Sequence, residues 1–580
     1  MLGKRRLAII GLGPRGSYAL ECFLREFIKF GEHNQLQILL FEETGKYGYG
    51  HVYDVGQVDS NWINVSERAL VLDGRESMEL NDIKIPAFPS YHDWAGLAIT
   101  NLNKRETDSF PPRAKIGAYL RDRFQSLVDP LLLSKIVTIY KDRILKIDLL
   151  NQDKISIESE DRSYENIDEV LLTIGHQPTE LSHELRSWDV ITKKSNRLRL
   201  FTDPYPTAAI INSEDLSDQS RIAIRGCGLA MIDVVRAIAC KFGKFVVIDP
   251  AKKTTKYKVE TDLTGMFIPY SLDGLFPSPK PLNKEIDDWF KPTGSQIINF
   301  ENKIGDPDTQ SRADSPRFLI SEFATIAADI YKNLKLTTDQ ENISNKEIED
   351  LVKKWLSNNN YEHPTIISAN RSAQETMQDH VAMATGMAPI SLDYCIGQVW
   401  RHCQPSIYDK LSYNACSEKV FAEIIALDES TKRYSYGPPV ESIQQLLALV
   451  EVGVMTLKYA NDPSIKLDDN GWQIVSNGDT ATANMMINSV LDSPKIKSVS
   501  SPIVRNLLSN DIIQAVHDEL GIMTDKNGYT ESNKFNGDVP VALLGRLAKG
   551  TIIGVDAILE CFGNRALDWA AEAVKRYKQA

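Results

Sequence analysis

Two glycine-rich turns carry the clearest chemical consequence in this chain. The apolar run Leu7-Ala8-Ile9-Ile10 leads into Gly11-Leu12-Gly13-Pro14-Arg15-Gly16, and Ile222-Ala223-Ile224-Arg225 leads into Gly226-Cys227-Gly228-Leu229-Ala230-Met231. A glycine turn between a buried strand and a helix directs backbone amides and a helix dipole at a dinucleotide diphosphate. In the first turn Gly11 permits the sharp bend, Gly13 lets backbone approach the diphosphate, and Gly16 lets helix and strand pack closely. Two such turns in one chain point to two dinucleotides, the layout in which a reduced nicotinamide passes hydride to a flavin.

The elements that must position the first turn can be read around it. Residues 7–10 form a buried strand, and residues 17–30 carry Ala19, Leu20, Phe23, Leu24, Phe27 and Ile28 at helical spacing. A second strand over 36–41 ends at Glu42, where a carboxylate can accept the ribose hydroxyls of the adenosine half. Pro14 and Arg15 depart from the plain fingerprint and give Gly-x-Gly-Pro-Arg-Gly. Four further segments follow: Gly48-Tyr49-Gly50-His51-Val52-Tyr53, Trp62-Ile63-Asn64-Val65, Tyr91-His92-Asp93-Trp94, and Phe110-Pro111-Pro112-Arg113 with Gly117-Ala118-Tyr119-Leu120. By chemistry alone, Gly48 and Gly50 permit backbone contact with a ring or ribose. The Asn64 amide can hold a flavin edge or a substrate. Arg113 either balances phosphate charge or forms a surface ion pair.

In this order the segments resemble bacterial FAD/NAD(P)-binding proteins with a Gly-x-Gly-Pro-Arg-Gly signature, distantly similar to flavin-dependent N-hydroxylating monooxygenases. The resemblance implies an α/β fold with two Rossmann-like dinucleotide-binding domains, of the flavoprotein monooxygenase and disulfide-reductase type, with a helical insertion. It implies FAD at the first turn, beside Gly11, Gly13, Pro14, Arg15, Gly16, Glu42, Gly48, Gly50, Trp62, Asn64 and Arg113. The strand that ends in Thr173-Ile174-Gly175-His176 resembles the exit from the flavin domain, where Gly175 allows close backbone approach. The run from Gly545 through Gly554 to Asp556 resembles the last flavin-binding segment. There Gly545, Gly554 and Asp556 meet the ring or ribitol, or Asp556 instead caps a helix over 557–573. Residues 484–490 resemble a strand returning to the flavin domain.

The second turn departs further from the fingerprint. Met231 stands at the third glycine position, so its helix must pack more loosely. The helix runs to about Phe242, and a strand over 245–248 ends in Asp249, 21 residues beyond Gly228. Gly226, Gly228 and Asp249 are the expected coenzyme contacts. An acid there favours NADH, whereas Lys252 and Lys253 would welcome the 2′-phosphate of NADPH, so the coenzyme stays open. Leu272 stands where the relatives carry an Arg, and a site that keeps the fold but binds nothing is the alternative.

The expected division is 1–205 with 480–580 as a discontinuous FAD-binding domain, 206–283 with 391–479 as an NAD(P)-binding-like domain, and 284–390 as a helical insertion. At 580 residues more than one domain is required. Asn64 and Arg401 are the candidate catalytic residues; Arg401, with His402, lines a substrate cleft or a helix surface.

Bulk properties exclude several classes. A net charge of −12 argues against nucleic acid as a partner. No apolar stretch is long enough for a membrane span, and the short N-terminal apolar run feeds a glycine turn, so a cytoplasmic protein is expected. Seven cysteines include no Cys-x-x-Cys pair, and nine histidines show no metal spacing. No metal is therefore expected, and disulfide-reductase chemistry is disfavoured. The resemblance favours the oxygen route: a C4a-hydroperoxyflavin passing one oxygen atom to a small amine or amino acid. The expected partners are that small molecule and molecular oxygen, with a homo-oligomer left open. An amino-acid carboxylate would need a cation, and Arg68, Arg75, Lys115 and Arg401 are candidates. The competing readings are an NAD(P)H-dependent flavin oxidoreductase without oxygen transfer and a non-catalytic FAD-binding redox sensor.

Overall fold

A computed structural model describes residues 5–30, 36–99, 102–151, 154–337, 343–491, 495–518, 520–532 and 539–579. Its first sheet is five-stranded and parallel, in the order Val541–Leu543, Glu169–Leu172, Arg5–Ile10, Leu36–Phe41, Val137–Tyr140. Arg5–Ile10 is the central strand, and Ala8 and Ile9 are fully buried. That explains its unbroken apolar run, since a parallel strand is covered on both faces. Helix Pro14–Phe30 follows at once. It starts three residues before the expected position because Pro suits a first helical turn, where no amide donor is needed. Its apolar face packs on the last helix, Asn564–Gln579, through Phe23 on Trp569 and Phe27 edge-on to Tyr577. The two ends of the chain thus share one layer.

The second sheet is four-stranded and parallel: Arg199–Phe201, Met485–Asn488, Ile222–Arg225, Phe267–Tyr270. Both glycine turns lie at the carboxyl ends of inner strands, where open α/β sheets bind ligands. The fold is α/β with two parallel sheets that each carry a glycine turn, as expected, but three placements differ. Residues 199–201 and 485–488, expected in the flavin domain, pair in the second sheet. The short apolar run 485–487 fits any buried parallel strand, so pairing alone decides its sheet.

The third difference concerns the strand after the second turn. Gly243–Asp249 forms an antiparallel hairpin with Thr254–Val259, outside the sheet, and Phe267–Tyr270 takes the place beside Ile222–Arg225. Helix Leu229–Phe242 runs directly into this strand, with no residue between them. A return to the sheet needs a connecting loop of a few residues.

Helices from Lys284–Asp287 to Val440–Glu451 form one helical body. It shares a continuous core with the second sheet, in which Phe323, Trp400, Leu446, Met231 and Met485 all take part. The expected insertion is therefore larger than 284–390, and it is not a separate lobe. The helices over 392–451, read as part of the coenzyme-binding unit, belong to this body.

Candidate functional site

The first turn divides its glycines between two tasks. Gly11 has φ +93°, and a Cβ there would stand 2.5 Å from the Thr173 carbonyl oxygen. Its amide donates to the Phe41 carbonyl at 2.8 Å. A Cβ on Gly16 would collide with the Gly11 carbonyl and the Thr173 hydroxyl. These two glycines serve the protein's own packing. Gly13 differs: a Cβ there would meet nothing within 4 Å. It faces open space at the start of Pro14–Phe30, where a diphosphate fits. Gly175 likewise has nothing within 4 Å of a built Cβ.

Around this turn the structure gives several nominated residues a partner within the chain. The Glu42 carboxylate accepts the Leu12 amide at 3.1 Å and the Thr44 amide at 3.0 Å, so it also braces the turn. A Cβ on Gly50 would stand 3.3 Å from Gly13 Cα, which puts this loop over the turn. A Cβ on Gly48 would stand 2.6 Å from Phe124, against helix Arg113–Leu133. Arg15 donates to the carbonyls of Glu560 at 2.9 Å and Val555 at 3.3 Å, and so ties the C-terminal segment to the turn. A Cβ on Gly545 would stand 3.1 Å from Arg15 Nε. Gly554 lies against the Tyr408 ring with no room for a Cβ.

Asp556 pairs with Arg546, with Lys432 at 2.9 Å and with Lys549 at 3.4 Å. Burial pushes its carboxyl up, but the three cations outweigh that and hold it well below the usual carboxylate range. It does not cap the following helix: Ala557 occupies that position, and the expected helix over 557–573 is two helices, Ile558–Cys561 and Asn564–Gln579.

The second turn repeats the first in part. The Gly226 amide donates to the Tyr270 carbonyl at 2.7 Å. The Ser489 hydroxyl donates to the carbonyls of Arg225 at 2.8 Å and Gly226 at 3.0 Å, the part that Thr173 plays at Gly11. A Cβ on Gly228 would meet nothing within 4 Å. The resemblance ends there. Met231 is fully buried where Gly16 would let the helix touch the turn. Asp249 lies on the hairpin, and its carboxylate accepts the Ala251 amide at 3.0 Å. The structure does not bring Asp249 into the sheet position from which an acid reaches a ribose.

Between the turns the two halves meet through charged side chains. Arg113 pairs with Asp233, on the helix after the second turn, at 3.2 Å, and Tyr205 donates to the same carboxylate at 2.7 Å. Arg236, one helical turn on, lies over the Trp62 ring at 3.7 Å and donates to Gln445 at 2.6 Å. The Asn64 side chain donates to the Tyr436 carbonyl at 3.2 Å, and the Asn64 backbone carbonyl accepts Lys280 Nζ. Burial first, and the nearby Arg401 second, push the Lys280 ammonium down to about 7. Arg401 is held by Asp287, and His402 Nε2 stands 3.3 Å from the Asp287 carbonyl oxygen.

Residues 8–177 match the model of a family described as FAD-NAD(P)-binding. This segment is an FAD/NAD(P)-binding domain. Over 538 residues, 87% of this chain and 86% of the relative, the sequence is 21% identical to the protein YdhS of Escherichia coli (strain K12). Over 231 residues, 39% of this chain and 34% of the relative, it is 25% identical to nitrosuccinic acid synthase npaA of Aspergillus oryzae. The structure also superposes on ornithine hydroxylase PvdA from Pseudomonas aeruginosa, with TM-score 0.43 and 10% identity over 99% of this chain and 100% of that one. With an open form of cyclohexanone monooxygenase the TM-score is 0.42 and the identity 11%, over 100% and 88% of the two chains.

Where the two halves meet, residues 8–177 contribute Trp62, Asn64 and Arg113, and the second half contributes Asp233, Arg236 and Lys280. Arg236 and Lys280 were not singled out from sequence. An arginine inside a helix and a lysine beside a proline carry no local signature. Among the described residues, no group of three or more His, Cys, Asp or Glu side chains could hold a metal ion, and no helix is long and apolar enough to cross a membrane.

Proposed function

We propose that the protein is an FAD-dependent monooxygenase, reduced by NADH or NADPH, that N-hydroxylates a small amine or amino acid. The observation that carries this reading is the first glycine turn. It is complete, and it leaves the space at Gly13 open inside the FAD/NAD(P)-binding domain. The name of the Aspergillus relative, a nitrosuccinic acid synthase, supports a nitrogen-oxygenated product. Bound FAD would supply the redox chemistry and the reaction with oxygen. The chain's own residues bind and orient. Amides at the start of Pro14–Phe30 face the diphosphate, Glu42 fixes the turn from behind, and Arg15 holds the C-terminal segment against it. Asn64, fixed from both sides by Tyr436 and Lys280, presents its segment between the two sheets. Arg401, already neutralised by Asp287, positions the helical body rather than a substrate.

Anaerobic titration with NADH and with NADPH, followed by flavin absorbance, tests the first half. Substrate-dependent oxygen uptake over a panel of amino acids and amines tests the second. Bleaching by at least one coenzyme, with oxygen uptake matched to its oxidation, is expected. Bleaching without substrate-dependent uptake would instead identify a flavin oxidoreductase. The buried Met231 and the displaced Asp249 favour one further alternative, an FAD-binding redox sensor. Flavin that neither coenzyme reduces would establish it.

A further inference from the structure

Two tyrosines and two carboxylates form an unbroken line of side-chain oxygens where the C-terminal segment meets the helical body. Tyr436 Oη stands 3.3 Å from Glu560 Oε1, and Tyr408 Oη stands 3.3 Å from Tyr436 Oη and 3.1 Å from Asp428 Oδ2. Glu560 lies on helix Ile558–Cys561, and Arg15 of the first turn donates to its backbone carbonyl at 2.9 Å. Tyr408 lies on helix Leu392–Leu411, with its ring against Gly554. Asp428 is buried on helix Glu418–Ser435. The line thus runs from the edge of the first turn into the helical body.

The line has three oxygen–oxygen contacts, and each needs one proton between its atoms. With both carboxylates ionised it holds two, one on each tyrosine. Burial first, and the facing carboxylate next, push both phenols up, so each hydroxyl keeps its proton. Tyr408 then donates to Asp428 and Tyr436 to Glu560, and the two tyrosine oxygens face each other with lone pairs alone. One more proton repairs this. Placed on Glu560 Oε1 it is donated to Tyr436, Tyr436 donates to Tyr408, and Tyr408 donates to Asp428. Asp428 is the acceptor end, because it also takes Trp400 Nε1 at 2.9 Å and the Gln404 amide at 3.1 Å. Glu560 Oε2 takes the Ala557 amide at 2.7 Å, which a neutral carboxyl group accepts through its carbonyl oxygen. Burial pushes the Glu560 carboxyl up and Asp556 adds to it, against the Ala557 amide, Arg15 and Lys432. Tyr53 and Cys561 also face it, besides the two tyrosines of the line.

We propose that Glu560 is held as a neutral carboxylic acid, and that its proton completes a hydrogen-bonded line through Tyr436 and Tyr408 to Asp428 that fastens the C-terminal segment to the helical body at the first turn. Loss of that proton to solvent leaves a carboxylate at Glu560, turns the Tyr436 hydroxyl toward it and breaks the contact between the tyrosines. The line is therefore closed below the Glu560 midpoint and open above it. It depends on FAD at the first turn, and on neither the substrate nor the coenzyme.

Infrared spectra of the FAD-loaded full chain, recorded over a pH series with isotope-labelled glutamate, test it. The expected result is a carboxylic-acid carbonyl band that shifts with the label, persists at neutral pH and is absent in Glu560→Gln. Glu560→Gln keeps a donor for Tyr436 and an acceptor for Ala557, so it should fold and keep the line closed at every pH. Tyr408→Phe removes a hydroxyl that makes no hydrogen bond to Glu560. It should nevertheless raise the acid dissociation constant of Glu560 roughly tenfold, because Tyr436 can then serve the carboxylate without leaving a contact unfilled. Release of FAD, followed by its fluorescence, should quicken severalfold as pH rises through the wild-type midpoint and stay level in Glu560→Gln. A labelled-glutamate band that is absent at neutral pH, or an aspartate band in its place, overturns the proposal. So does a midpoint unmoved in Tyr408→Phe, or FAD release that rises with pH equally in the wild type and Glu560→Gln. The labelled band is read in the wild-type chain, so the test stands if Tyr408→Phe fails to fold.

Discussion

Gly13 and Gly16 differ in what their absent side chains would touch. A Cβ at Gly13 enters space that the chain leaves empty, whereas one at Gly16 strikes the Gly11 carbonyl and the Thr173 hydroxyl. Gly13→Val should therefore fold as the wild type does and purify without flavin, read by its melting curve and visible absorbance. Gly16→Ala should instead lose stability, by about 1–3 kcal/mol as overpacked sites do, read as a lowered midpoint in urea. A yellow Gly13→Val protein would remove the diphosphate from this turn. The same distinction explains what a reader of the sequence can see. The glycine spacing marks the turn, but Gly11 and Gly16 both pack on Thr173, more than 150 positions away in sequence, which the spacing does not show. Arg236 gives no such sign, because its partners Trp62 and Gln445 lie 174 and 209 positions away in sequence.

At the scale of elements, the helix Leu229–Phe242 departs most from the fingerprint. Met231 occupies the place of a glycine, fully buried, and the strand that follows leaves the sheet. Restoring the fingerprint should therefore harm the protein. Met231→Gly removes a buried side chain, at about 2–5 kcal/mol by analogy with large-to-small core changes, and adds about 1 kcal/mol for glycine within a helix. A lower urea midpoint, with no gain in the NADH or NADPH concentration needed for half-reduction of flavin, is the expected result. A tighter coenzyme response would show that Met231 alone degrades the second site. The short apolar runs form strands, as expected, but runs of four residues carry no address. Residues 485–488 fit either sheet by composition, and the side-by-side register with Ile222–Arg225 settles the matter.

At the scale of the whole molecule, the first sheet has cores of its own, and one core joins the helical body to the second sheet. His380, on helix Ala373–Ala384, is buried in it between Tyr394 and Tyr434, and its Nε2 has no hydrogen-bond partner. Burial is the main cause that pulls its imidazole from 6.5 down to about 3, with Arg433 adding to it. The unfolded chain then binds a proton that the folded chain refuses between those values. This contribution to stability is complete above about pH 6.5 and is lost as pH falls toward 3. His380→Phe keeps a ring between the tyrosines and removes the titration. Its melting temperature relative to wild type should be higher at pH 4.5 than at pH 7.5, and an equal difference at both would show that His380 is not a source of acid lability.

The sequence by itself determined the first glycine turn, the strands and helix that frame it, and the presence of a second turn. Those features rest on interactions within one βαβ unit, where chain neighbours are also neighbours in space. Only the tertiary structure decided which sheet each short strand joins, that Asp249 leaves the sheet, and that Asp556, Arg15 and Arg401 meet partners within the chain. It alone showed that Arg68, Arg75, Lys115 and Arg401, the cations considered for a carboxylate, each meet a carboxylate of the chain itself. Charge balance in a cleft is a sum over residues brought together from distant parts of the chain, and no local pattern encodes that sum.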